Sequence, residues 1–213
     1  ALYLADFYVI EDGAEEHIIG NPGLEKMGSD KYWYIDADGA KWVQDMLADA
    51  EVNNVAVNLL VSPHYFPRFM FERFPETQGK RAFVNIKSEL GRQVIRDYLN
   101  TLIPLIKDYK SLKAICLTNE PGECVANYGE EYRPYYTEFL KEKYGALENV
   151  SRAHGKQYKD FSEVPFEEFK DSASTETPEY RDFWEFNNRE FAEYHHFLAD
   201  TIKAIAPDIP LNI

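Results

Sequence analysis

Glu120 stands where an apolar run stops. Leu112-Lys113-Ala114-Ile115-Cys116-Leu117 reads as a short strand, and Thr118-Asn119-Glu120-Pro121 follows it, with Pro121 restricting the local backbone. A carboxyl held at a strand end in a partly desolvated cleft has a raised pKa and can donate a proton. The competing reading is a solvated loop glutamate, one of 37 acidic residues. Asn119 beside it reads, from its position alone, as a local cap of the turn. Glu123 is the nearest second carboxyl in sequence, but the Pro121-Gly122 turn between them works against a convergent geometry, and it reads as a solvated loop residue.

A second strand end carries Ser62-Pro63-His64-Tyr65-Phe66-Pro67. His64 and Tyr65 are of types that hold a polar ligand, through imidazole hydrogen bonds and an aromatic face, although a histidine bonded to loop backbone reads equally well. Tyr128 and Trp184 are similar candidates in a chain with 15 Tyr and 14 Phe, most of which simply pack. His195 and His196 are adjacent on a predicted helix, so they point about 100° apart and cannot share a metal as an i, i+4 pair could. With two cysteines, Cys116 and Cys124, there is neither a disulfide scaffold nor a zinc cluster. No metal and no cofactor are expected.

The elements that position these residues alternate. Leu2 to Ile10 reads as a strand, and residues 13–30 read as a loop by their turn chemistry. Trp42, Val43, Met46, Leu47 and Ala50 recur at helical spacing after Asp38, a candidate N-cap. Val55 to Val61 is almost continuously apolar, as in a strand covered on both faces. Ser88 caps a helix with Leu90, Val94, Ile95, Tyr98, Leu99 and Leu102 on one face, which Pro104 kinks or ends. Helices follow from Arg133-Pro134 to Tyr144, from Leu147 to Ala153 and from Pro178 to Ala206, before another strand begins at Leu211.

Strand–helix alternation with apolar strands calls for a parallel sheet joined by right-handed crossovers. No Gly-rich phosphate loop follows any strand, which favours a (β/α)8 barrel over an open doubly wound sheet. Such a barrel takes about 250 residues, so residues 1–213 read as one fragment of a single barrel, about its second to fifth strands. The start without Met, and the stop at Leu211-Asn212-Ile213 just inside a strand, carry the same expectation.

The formal net charge of −14 disfavours a phosphate-backbone ligand, so no nucleic-acid partner is expected. No apolar run approaches the ~18 residues a spanning helix needs, and no membrane partner is expected. The first residues show no charged segment followed by an apolar one, and the compartment stays open.

Thr118-Asn119-Glu120-Pro121 resembles the Asn-Glu-Pro signature at the end of the fourth strand in clan A glycoside hydrolases, where the Glu is the acid/base. Asn58 to Pro67 with Phe74-Pro75-Glu76 resembles the third-strand region of family 42 β-galactosidases, with its Pro-rich strand end and Tyr-Pro-Glu. Phe139-Leu140-Lys141-Glu142-Lys143-Tyr144-Gly145-Ala146-Leu147-Glu148-Asn149-Val150 resembles that family's Trp-Leu-Lys-x-Lys-Tyr-Gly-x-Leu-Glu-x-Leu segment, and Ala153-His154-Gly155 stands where it has Ala-Trp-Gly. The resemblance runs from about Lys31 to the C-terminus by motif order. Departures are Pro121 in place of an aromatic residue, and Phe139 and His154 in place of tryptophans.

The resemblance implies a retaining glycoside hydrolase acting on β-linked oligo- or polysaccharide, with Glu120 as acid/base and Asn119 on the sugar 2-hydroxyl. Retaining chemistry needs a second carboxyl about 5 to 5.5 Å away. The clan places that nucleophile on the seventh strand, so none is expected in this chain and the isolated fragment is expected to be inactive. The alternatives are a catalytically inactive carbohydrate-binding or scaffold barrel and, among enzymes, a β-mannosidase or other clan A glycosidase. A half barrel leaves sheet edges unpaired, so self-association is also expected.

Overall fold

The computed structural model describes residues 9–10, 34–35, 37–63, 71–72, 74–79, 84–119, 129–166 and 177–213. The chain divides into two compact units, Ala1–Cys124 with Tyr194–Ile213, and Val125–Glu193.

In the first unit, β1 (Val9–Ile10) pairs antiparallel with β2 (Tyr34–Ile35). Three further strands form a parallel sheet in the order β3 (Val57–Leu60), β4 (Leu112–Cys116), β5 (Leu211–Asn212). Sequential neighbours in a parallel sheet are what repeated strand–helix crossovers produce, and they suit the barrel reading. Leu60 and Asn212 both pair with Cys116, so the three strands come level at their C-terminal ends. Backbone bonds from Val61 to Cys116 (3.0 Å) and from Leu117 to Asn212 (2.8 Å) carry the register one residue further.

Helix α1 (Ala37–Val52) buries Ala40, Val43 and Leu47, while Trp42 lies on its exposed side. Helix α2 (Glu89–Ile106) starts at Ser88, whose hydroxyl accepts the Gly91 N–H at 3.1 Å. Of the two expectations for Pro104, a kink or an end, the second is not met: the helix runs on to Ile106. Leu102, Ile103 and Ile106 are fully buried on either side, and the Lys107 N–H still bonds the Ile103 carbonyl at 3.0 Å. That burial outweighs the one backbone bond proline removes. The expectation that β3 is covered on both faces also needs correction: Leu59 is buried, but Asn58 is exposed and Val57 and Leu60 are only half-buried. In the described sheet β3 is an outer strand, and an outer strand need not be apolar on both sides.

The second unit is built on α3 (Arg133–Tyr144), α4 (Leu147–His154) and the first part of α5 (Pro178–Lys203). Tyr132, Tyr136, Phe139, Leu140, Val150, Val164, Phe166, Phe183 and Phe186 form its core. Pro134 opens α3, where a missing N–H costs nothing. Gly145 and Gly155 close α3 and α4 at φ of 77° and 66°, a left-handed backbone that residues with a Cβ resist. These two stops are the physical content of the Tyr144-Gly145 and His154-Gly155 motifs.

Candidate active site

The level strand ends of β3, β4 and β5 are where a parallel α/β fold collects its functional side chains. Asn119 sits there, half-buried in a bend just past β4. Before it, Thr118 is buried, and its hydroxyl hydrogen-bonds His195 Nε2 at 2.8 Å. The Cys116 thiol lies 3.6 Å from the Thr118 carbonyl and donates to it. On the neighbouring strand, Ser62 is completely buried at φ 38°, a region few non-glycine residues adopt, and strain of this kind gathers at functional sites. Asn212 supplies its carbonyl to the Leu117 N–H.

Glu120, His64, Tyr65 and Tyr128 lie outside the described residues, as does Glu123. Trp184 belongs to the second unit, on an exposed face of α5, stacked on Tyr180 with ring centroids 6.4 Å apart and planes 12° from parallel. Asn119 and Trp184 thus fall in different units. The His195-His196 pair splits as the helical spacing requires, with one ring buried and the other exposed. The bond from His195 to Thr118 was not anticipated. Its signal lay in the helical period: His195, Leu198 and Ile202 recur on one side of α5, and all three are buried.

The second unit holds a buried polar network that sequence reasoning also missed. Asp182, 2% exposed along its side chain, accepts from Lys143 Nζ at 2.8 Å and from the Tyr144 hydroxyl at 3.0 Å on one oxygen. Its other oxygen meets His154 Nε2 at 2.8 Å. A carboxylate only accepts, so Nε2 donates its proton to Asp182, and Nδ1 faces the Tyr158 hydroxyl at 3.1 Å. Lys156 pairs with Glu179 at 2.6 Å, and Lys143 also pairs with Glu185. Burial, then the nearby Glu179 charge, pushes the Tyr158 hydroxyl up to about 12, so it stays protonated at neutral pH. A His–Asp pair can orient a base for a nucleophile, but this one is sealed in the core with an un-ionised phenol, and it works as a strut between helices.

The family described as beta-galactosidase, glycoside hydrolase family 42, matches residues 40–213. Beta-galactosidase BgaA of Clostridium cellulovorans is 25% identical over 129 residues, which are 54% of this chain and 19% of that protein. The crystal structure of a beta-galactosidase from Bacillus circulans sp. alkalophilus superposes with a TM-score of 0.68 at 21% identity, over 89% of this chain and 30% of that one. An exo-carrageenase of family 42 from Bacteroides ovatus gives a TM-score of 0.60 at 22% identity, over 78% of this chain and 25% of its own. The chain therefore spans less than a third of the length of these relatives. The solved relatives are (β/α)8-barrel enzymes, and the parallel strands β3 to β5 with their helices are part of that fold. With its strand order, its strand-end Asn119 and a family match across most of its length, the chain belongs to glycoside hydrolase family 42.

Proposed function

We propose that the protein carrying this chain is a retaining glycoside hydrolase that cleaves β-linked galactosides. Residues 1–213 form part of one catalytic barrel. Glu120 protonates the leaving oxygen and later activates water, while Asn119 bonds the sugar 2-hydroxyl, a contact that strengthens in the transition state. His64, Tyr65, Tyr128 and Trp184 are further sugar contacts in this reading. The nucleophilic carboxylate comes from outside these residues. The observation that carries the reading is the position of Asn119, immediately beyond the central strand of a parallel sheet in a chain of this family.

The two family members above, one a beta-galactosidase and the other an exo-carrageenase, make the sugar the variable element. A panel of nitrophenyl β-glycosides offered to the full-length protein tests the assignment. The galactoside is expected to turn over at least about tenfold faster than the glucoside or mannoside, because a pocket built to bond a given hydroxyl rejects sugars that misplace it. Faster mannoside cleavage would redirect the specificity. No cleavage of any β-glycoside would favour the second reading, a sugar-binding barrel without catalysis.

A further inference from the structure

The Thr118–His195 hydrogen bond lies outside the roles assigned above. It joins residues 77 positions apart in sequence, both almost completely buried, immediately before Asn119 and Glu120. An apolar pair of similar size would fill the same space without desolvating a hydroxyl and an imidazole. What the polar pair adds is direction, since a hydrogen bond fixes angle as well as distance whereas apolar contact does not. Thr118 is held from two sides: Cys116 donates to its carbonyl and His195 bonds its hydroxyl. The last backbone bond of the β4 register, from Leu117 to Asn212, comes one residue earlier. Beyond it, Thr118 is where side chains take over from the sheet in directing the chain toward Asn119.

We infer that His195 is a positioning residue: through the Thr118 hydroxyl it sets the course of the chain that presents Asn119 and Glu120 to the substrate. The inference rests on the acid/base reading of Glu120. His195 itself need not touch the sugar. Its effect falls on the step that needs an accurately placed proton donor.

Substrates with good and poor leaving groups separate this role from a merely structural one. Poor leaving groups need protonation, so misplacing the donor slows them selectively, whereas general loosening of the fold slows both alike. The experiment measures kcat/KM of the full-length enzyme for phenyl and dinitrophenyl β-galactosides, with thermal unfolding recorded beside it. Thr118→Val is isosteric and removes the hydroxyl. It is expected to lose about tenfold or more on the phenyl substrate and under about threefold on the dinitrophenyl one, in line with the penalty of a small misplacement. Thr118→Ser restores the hydroxyl and is expected to return within about twofold of the parent. His195→Phe should reproduce the Thr118→Val pattern, and the double variant should be no worse than either single one, because both remove the same bond. Should Thr118→Val fail to fold, His195→Phe is read for the same selectivity, with His195→Gln, whose amide can keep the bond, expected to stay nearer the parent.

Equal losses on both substrates, additive losses, or no loss would overturn the inference. Glu120→Gln is measured in parallel. If it abolishes phenyl galactoside cleavage while the Thr118 and His195 variants show no selectivity, only the positioning role fails. If Glu120→Gln retains full activity on the phenyl substrate, the acid/base reading fails and the positioning role with it.

Discussion

Burial on its own would raise the pKa of Glu179, yet its carboxyl is held below its ordinary value of 4.5. The hydrogen bond from Lys156, a backbone N–H bond and the charges of Lys156 and His154 outweigh the desolvation. A carboxyl whose folded pKa lies below its unfolded one contributes stability above the unfolded value, and that stability is lost as the pH falls through the folded value. Lys156→Met is therefore expected to lower unfolding stability at about pH 7 and to make much less difference at an acid pH low enough to protonate the Glu179 carboxyl in both proteins. Denaturant titrations at the two pH values check this, and a difference independent of pH would count against it. Residues like these were the hardest to read from sequence. His154 was visible as a departure from tryptophan, but nothing in the chain announces that Asp182, on another helix, will accept its hydrogen bond. Asn119 was legible because it follows an apolar run directly. The bond between Thr118 and His195 was not, because it depends on where a long helix returns to the sheet.

Asp182 matters at the scale of elements. It lies on α5 and binds Lys143 and Tyr144 at the end of α3 and His154 at the end of α4, so one carboxylate ties three helices of the second unit. Removing it leaves a buried imidazole and a half-buried ammonium without their acceptor, a change that typically costs about 3 to 5 kcal/mol. Asp182→Ala is expected to destabilise by about 3 kcal/mol or more in equilibrium unfolding. A loss below about 1 kcal/mol would show that solvent or a neighbour takes over its role. The elements themselves were largely legible. Arg133–Tyr144 appears with the expected bounds, and Ser88 caps α2 as its hydroxyl suggested. Local rules fell short where tertiary packing overruled them: Pro104 stays helical within a buried face, and Asn58 is exposed in a strand that read as almost continuously apolar. The pairing of β1 with β2 joins segments far apart in sequence, and no short-range pattern encodes it.

For the whole molecule, alternation of strand and helix was enough to call for a parallel sheet, and the sheet β3-β4-β5 has the sequential order that a barrel repeats. Division into two compact units was not visible, because the segment between β4 and β5 reads locally as ordinary helices and only its separate aromatic core sets it apart. Under the proposed function, chemistry at this scale turns on Glu120. If Glu120 is the acid/base of the full-length protein, Glu120→Gln removes the proton donor with little change of shape, so poor leaving groups should suffer by about 100-fold or more while activated ones suffer far less. Without a base to activate water, the glycosyl-enzyme should accumulate, and azide, which needs no base, should restore turnover. The most direct test is the product of that rescue. A β-galactosyl azide of retained configuration from Glu120→Gln, and not from Glu123→Gln, is the predicted result. Full activity in Glu120→Gln, with azide rescue appearing in Glu123→Gln instead, would contradict the account.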